Sequence, residues 1–141
     1  MPVSTYHHRR RVQFYETDLA GIVHFSWFFR YMEEAEHAMW REAGLHIAAP
    51  DGDLRFPRIA ATCDFRAPLR FEDLVDVHLT IAAMTSRTMR YECVIKKGDV
   101  IAGTGTMTTT CVRTSDASRA IPLPPEVRAA FAPTSQAALQ D

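Results

Sequence analysis

With 141 residues, 47% of them hydrophobic, the chain has enough apolar material for the core of one domain and too little for two. Sixteen basic and seventeen acidic side chains leave a net charge of −1, which excludes a strong overall field for attracting nucleic acid or an anionic membrane. The three cysteines are odd in number and widely spaced, so they indicate neither a disulfide framework nor a zinc site. No segment has the length of a signal peptide or a membrane span, and we expect a cytoplasmic protein without a metal.

The chain opens on a segment that predicts a first strand over residues 5–16. Polar side chains at His8, Arg10 and Glu16 fall in phase with the apolar Val12, so the alternation typical of a half-buried strand is imperfect here. We nevertheless expect a strand that leads into the loop that follows.

A tight loop and one long helix come next. In the loop, Asp18 supplies a carboxylate, and Gly21 suits a backbone conformation with positive φ. From Phe28 onward the apolar residues recur at helical spacing, and Gly44 is placed to end the helix. Further aromatic residues make the first turn apolar nearly all round, so we expect that end of the helix to be buried: Phe25, Trp27 and Phe29.

Asp18 and the start of the helix together have the composition of a reaction centre. A helix N-terminus presents unpaired N–H groups and the positive end of the helix dipole, which stabilise negative charge on a carbonyl oxygen. A carboxylate beside it can attack the carbonyl or activate water. The alternative, which Thr-Asp-x-x-Gly taken alone favours, is that Asp18 only caps a turn.

The rest of the chain predicts four consecutive antiparallel strands after a connection over residues 47–57 that is rich in turn formers. The strands are predicted at residues 59–66, 75–84, 89–96 and 100–112. The last of them carries alternate threonines, which we interpret as an exposed face: Thr104, Thr106, Thr108 and Thr110. Beyond residue 116 we expect a short helix over residues 125–132 and a frayed tail over residues 133–141.

This order of elements, one strand, one long helix and four strands, indicates an α+β fold in which one antiparallel sheet packs on one helix. Such a sheet has open edges. Pairing of two edges into a dimer with a continuous sheet would cover them.

One stretch closely resembles a known family. Residues 17–23 (Thr-Asp-x-x-Gly-x-Val), the ten-residue step from Asp18 to Phe28 and residues 31–35 (Tyr-Met-Glu-Glu-Ala) are similar to the hot-dog-fold acyl-CoA thioesterases of the 4-hydroxybenzoyl-CoA thioesterase family. The resemblance covers roughly residues 8–126. It implies a hot-dog fold, in which an antiparallel sheet wraps around one long central helix, and a single such domain across residues 1–141.

The sequence departs from that family's pattern at two positions. Many relatives have Asn or Tyr where His24 stands, and Arg is common where Glu36 stands. These departures leave the predicted fold unchanged and leave the substrate open.

The resemblance also implies an acyl-CoA thioester hydrolase, and the aromatic residues at the helix start favour an aryl or short acyl group. Asp18 matches the family's catalytic carboxylate and is predicted to be the nucleophile or the general base, with the backbone N–H of Phe25 as oxyanion donor. His24 either assists the thioester or is a turn residue bonded to backbone. Glu34 is the second candidate carboxylate, because some hot-dog thioesterases use an acid on the helix; a solvated helix face is its alternative.

Coenzyme A is part of the substrate, so no separate cofactor is expected. Its phosphates need basic side chains, and Arg87 and Arg90 match in place the residues that face the nucleotide in relatives. Arg58 is a weaker candidate, and Gly21 is assigned to the substrate-binding loop; plain surface charge is the alternative for each arginine. Because the family pairs through its sheets, we expect a homo-oligomer, either a dimer or a dimer of dimers.

Two other classes of function stay open. One is an acyl-CoA binding module without catalysis, and the other is a hot-dog dehydratase or hydratase. Dehydratases of this fold use a His with an Asp or Glu in a different motif, and a binding module would not need Asp18. We therefore predict a thioesterase whose acyl group and carrier, CoA or acyl carrier protein, remain to be determined.

Overall fold

The computed structural model describes residues 1–134, and this part of the chain forms a seven-stranded antiparallel sheet, one long helix and one short helix. The elements are β1 Thr5–Arg11, α1 Phe25–Glu42, β2 Leu54–Arg55, β3 Arg58–Phe65, β4 Leu74–Met84, β5 Thr88–Lys97, β6 Val100–Arg113, β7 Asp116–Ile121 and α2 Pro125–Ala130. A single turn of 3₁₀ helix, Phe14–Glu16, lies between β1 and α1. Neither of the two α-helices has the length and apolar character needed to cross a membrane.

The main strands follow the order β1, β4, β5, β6 and β3, and β2 and β7 pair with the far end of β6. In the register, Arg10 of β1 lies opposite Val75 of β4, and Cys63 of β3 lies opposite Gly105 of β6. β3 lies at one edge of this set, and most of its side chains are exposed.

Helix α1 packs its apolar side on the sheet. Its buried residues include large side chains that fill the core: Phe28, Tyr31, Met32, Met39 and Trp40. Close contact depends on Gly105, because a Cβ at that position would lie 2.6 Å from the Met32 sulfur and 2.6 Å from the Thr62 carbonyl oxygen. Glycine at this position therefore lets the helix approach the sheet.

The predicted α+β architecture and the order of its main elements are confirmed. The four strands after the helix begin and end within one residue of their predicted bounds. The predicted first strand is wrong beyond Arg11: the Gln13 N–H donates to the Glu16 carboxylate at 3.0 Å instead of to a neighbouring strand, and the chain turns there.

Two short strands, β2 and β7, were not predicted, and they occupy the connection over residues 47–57 and the segment after residue 116. The threonine stripe is less exposed than expected, since Thr110 is buried and its hydroxyl donates to the Arg87 carbonyl oxygen at 2.8 Å. Of the predicted tail, residues 135–141 lie outside the described part of the chain.

Candidate active site

The loop between the 3₁₀ turn and α1 is a small hairpin. Thr17 pairs with Val23, the Asp18 N–H donates to the Ile22 carbonyl oxygen at 3.0 Å, and the Gly21 N–H donates to the Asp18 carbonyl oxygen at 2.9 Å. Gly21 has a φ of +77°, a conformation that other residues rarely adopt, and this is the role that its sequence position predicted. The hairpin is tied to the rest of the fold where the Val23 N–H donates to the Leu69 carbonyl oxygen at 2.8 Å.

The geometry of Asp18 is compatible with both of the roles that the sequence left as alternatives. Its Oδ1 accepts the Ala20 N–H at 2.9 Å, which is a turn-stabilising bond. Its Oδ2 has no hydrogen-bond partner among residues 1–134, and the residue lines an open pocket of about 550 Å³. One oxygen therefore fixes the loop while the other is available for chemistry.

The start of α1 borders the same pocket through Phe25, its first residue. The N-cap is His24, whose Nδ1 accepts the Ser26 N–H at 3.3 Å. The N–H of Phe25 makes no hydrogen bond within residues 1–134, as expected for the first turn of a helix. This 18-residue helix thus presents a free donor and the positive end of its dipole beside the pocket that holds the carboxylate.

Aromatic rings form much of the pocket wall. The ring of Phe65, at the end of β3, lies edge-on to that of Phe28 with centroids 5.1 Å apart, and edge-on to that of Phe25 with centroids 6.1 Å apart. Phe25 and Phe65 are about half exposed, with 58% and 49% of their surfaces accessible. The basic residue of the lining is Arg66. The wall is therefore apolar and suited to a flat ring, with one cation at its border.

Residues 12–131 match the family model of the thioesterase-like superfamily. The chain belongs to this superfamily. It is 38% identical over 94 residues to a putative esterase from Aquifex aeolicus (strain VF5), a match that covers 66% of this chain and 73% of the relative. A gentisyl-coenzyme A thioesterase has a similar structure, with a TM-score of 0.82 and 31% identity over 89% of this chain and 99% of that one.

A second solved structure, a 1,4-dihydroxy-2-naphthoyl-CoA thioesterase from Synechocystis, matches with a TM-score of 0.83 over 90% of this chain and 95% of that one, at 24% identity. These matches confirm the hot-dog fold. The superfamily match and the 31% identical thioesterase also confirm the interpretation of this superfamily member as a thioester hydrolase. The family match is to the broad superfamily, and membership of the 4-hydroxybenzoyl-CoA thioesterase family stays a prediction.

The second candidate carboxylate of this thioester hydrolase lies elsewhere. Glu34 accepts a hydrogen bond from Arg10 Nε at 2.8 Å and lies 3.4 Å from His8 Nε2, and it is not part of the Asp18 pocket lining. His24 also is not part of that lining, and its ring caps the helix. The geometry within one chain therefore favours Asp18 over Glu34 as the reacting carboxylate.

The arginines predicted to bind coenzyme A do not line the Asp18 pocket within one chain. Arg58 donates to the buried Glu36 carboxylate at 2.8 Å, and Arg90 lies 3.6 Å from the Glu92 carboxylate. Arg87 lines a separate pocket of about 290 Å³, whose other basic residues are Arg113 and Arg119.

A buried ion pair that was not predicted from the sequence lies next to the Asp18 loop. The side chain of Glu16 is fully buried, and its two oxygens accept one hydrogen bond each from the two Arg10 Nη atoms, both at 2.6 Å. The signal was present in the sequence, because Arg10 and Glu16 fall in phase with the apolar Val12.

Proposed function

We propose that the protein hydrolyses aryl or short-chain acyl-CoA thioesters in the Asp18 pocket, as a member of the 4-hydroxybenzoyl-CoA thioesterase family within its superfamily. The observation that carries this proposal is that Asp18, whose carboxylate has one oxygen without a hydrogen bond among residues 1–134, and Phe25, whose N–H is likewise unbonded there, line one pocket with an aromatic wall. A thioester needs these two groups, a donor to its oxygen and a carboxylate to attack it or to activate water.

In this proposal the carbonyl oxygen of the thioester accepts the Phe25 N–H, which stabilises the negative charge that develops when the carbonyl carbon is attacked. Asp18 then acts in one of two ways. It attacks the carbon itself, the C–S bond breaks with release of the CoA thiolate, and water hydrolyses the resulting anhydride. Alternatively, it takes a proton from a water molecule that attacks directly. Both routes yield a carboxylic acid and free CoA and regenerate the Asp18 carboxylate.

The wall of aromatic rings supports the aryl preference. Phe28 is almost completely buried, while Phe25 and Phe65 line the pocket and are about half exposed. Aromatic pairs gain from offset or edge-to-face contact beyond the area they bury. The name of the gentisyl-coenzyme A thioesterase, 31% identical to this chain, gives independent support for an aromatic acyl group.

Release of free thiol from a panel of thioesters tests the proposal. The panel contains a benzoyl-CoA, a four-carbon acyl-CoA, a sixteen-carbon acyl-CoA and the benzoyl thioester of pantetheine. We expect kcat/KM for the aryl or the short CoA thioester to exceed that for the long chain by about tenfold or more, since a mismatch of one methylene in an apolar pocket already changes kcat/KM by about tenfold or more. Tight binding of every thioester with no thiol release above the buffer rate would instead indicate a binding module.

We further propose that the protein is a homodimer, or a dimer of dimers, paired through β3. This edge strand exposes 59% of Ile59 and 49% of Phe65, and Phe65 also lines the Asp18 pocket. A partner strand along β3 would cover these side chains and enclose the pocket. Light scattering in dilute solution should give at least twice the chain mass of 15.9 kDa. A stable monomer with full activity would contradict this proposal.

A further inference from the structure

We infer that Glu16 is a positioning residue of the thioester-hydrolysing site, whose buried carboxylate holds the Asp18 loop in place against the start of α1. The inference rests on the proposed function, because the placement of this loop matters to turnover only if Asp18 reacts beside that helix end. It assigns Glu16 no contact with the substrate.

Glu16 joins the two ends of the loop through its main chain. The loop starts at Thr17, the next residue, and it ends at His24, the N-cap of α1. The His24 N–H donates to the Glu16 carbonyl oxygen at 2.9 Å. The position of Glu16 therefore sets both where the loop that carries Asp18 begins and where the helix that carries the Phe25 N–H begins.

The Glu16 side chain is in turn fixed by donors from three elements. Arg10 of β1 donates two hydrogen bonds of 2.6 Å, the Tyr31 hydroxyl of α1 donates one of 2.7 Å, and the N–H of Gln13, the N-cap of the 3₁₀ turn, donates one of 3.0 Å. The Arg10 guanidinium also lies 4.3 Å from the centre of the Tyr31 ring. A carboxylate with four donors and no exposed surface has one available position.

The protonation states fix which group donates and which accepts in these hydrogen bonds. Burial alone would raise the pKa of Glu16, but hydrogen bonds from Arg10, the Gln13 N–H and Tyr31 hold that pKa below its ordinary value. The pKa of Tyr31 is raised, first by burial and then by its hydrogen bond to Glu16. Near neutral pH, Glu16 is therefore a charged acceptor and Tyr31 a protonated donor, and together they connect the loop to the second turn of the helix.

A second glutamate–arginine pair joins α1 to the start of β3 away from the loop, and it provides a control. Glu36 is 1% exposed, and its Oε1 accepts a hydrogen bond from Arg58 at 2.8 Å. It lines a different pocket from Asp18. Glu36→Gln therefore changes a second buried glutamate that is paired with an arginine, without touching the Asp18 loop.

The test compares Glu16→Gln, Glu36→Gln and Tyr31→Phe with the wild type by kcat, KM and melting temperature. We expect Glu16→Gln to lower kcat by about tenfold or more with KM changed by less than about twofold, because small displacements of a reacting group reduce turnover more than binding. Tyr31→Phe should lower kcat in the same way by a smaller factor. Glu36→Gln should leave kcat within about twofold of the wild type, whatever its melting temperature. Unchanged kcat in Glu16→Gln, or equal loss in both glutamine variants, would overturn the inference.

Amide hydrogen exchange over residues 17–24 supplies a readout that does not depend on activity. Faster exchange of this segment in Glu16→Gln but not in Glu36→Gln is expected, and equal exchange in the two would overturn the positioning role even if the wild type proved inactive. Thiol release by the wild type separately decides the proposed function. If Glu16→Gln fails to fold, Tyr31→Phe, which leaves the ion pair intact, provides the same comparison.

Discussion

Replacement of Arg10 by methionine is expected to lower the free energy of unfolding by about 3–5 kcal/mol at neutral pH, the usual scale for removing one partner of a buried ion pair. The variant leaves the Glu16 carboxylate in the core with hydrogen bonds from Tyr31 and Gln13 but without its cation. Methionine fills much of the volume of the arginine stem, so the lower free energy of unfolding reflects the missing charge more than a cavity.

The difference in stability between Arg10→Met and the wild type should depend on pH, and the pKa of Glu16 in each protein gives the direction. In the wild type the pKa of Glu16 is lowered, so its stabilising contribution is present above the ordinary glutamate pKa and is lost as the pH falls through the lower folded value. Without Arg10, burial dominates and the folded pKa rises above the ordinary value, so the variant loses stability as the pH rises through that raised pKa. The gap between variant and wild type should therefore be smaller at about pH 5 than at about pH 7, given the ordinary glutamate pKa of about 4.3.

Urea denaturation at the two pH values measures this gap. Arg9→Met is the matched control, because Arg9 is the neighbouring residue of β1 and points to the opposite side, where it pairs with Asp76 at the surface. Exposed pairs contribute little to stability, so Arg9→Met should stay close to the wild type at both pH values. A loss in Arg10→Met no larger than in Arg9→Met, or equal losses at both pH values, would be inconsistent with a buried ion pair at Glu16.

The main elements of the fold could be predicted from the sequence because each carries a strong local pattern. Alternation marks β4, β5 and β6, and helical spacing marks α1. The missed strand β2 has only two residues, too few for a pattern, and β7 is exposed along almost its whole length, so no alternation marks it. Both exist because the long strand β6 offers free backbone groups at its far end, which is a property of the tertiary fold.

Buried charges are a second feature that the sequence pattern did not predict. Arg10 and Glu16 interrupt the apolar alternation of the predicted first strand, although they form one buried ion pair. Periodicity records which side a residue faces, and it does not record that two charges on that side neutralise each other. When an arginine and a glutamate near the end of a strand both fall at positions that face the core, they are better interpreted as candidates for a buried ion pair.

Some residues of the candidate site could likewise be predicted from local sequence, and others could not. Asp18 and Phe25 are seven residues apart in one loop and helix start, so local sequence was sufficient to bring them together. Phe65 and Arg66 join them only because β3 ends beside α1, and no local pattern indicates that contact. Arg87 and Arg90 were predicted from family resemblance, and within one chain they lie outside the Asp18 pocket.

The variant Asp18→Asn shows whether the Asp18 carboxylate performs the chemistry. Asparagine keeps the shape of the side chain and an oxygen that can accept the Ala20 N–H, so the turn is preserved. It removes the charge that attack on a thioester, or on water, requires. We expect kcat to fall by about a hundredfold or more, with the melting temperature nearly unchanged.

The matched control is Asp116→Asn, since the carboxylate of Asp116 also accepts an N–H two residues later, from Ser118 at 3.2 Å, at the exposed start of β7. That variant should keep kcat within about twofold of the wild type. Thiol release from the best CoA thioester of the panel is the measurement for all three proteins. A large loss confined to Asp18→Asn is the predicted result. Near-wild-type turnover by a folded Asp18→Asn protein, with at most about 1 kcal/mol lost from its stability, would show that Asp18 only caps the turn and does not react.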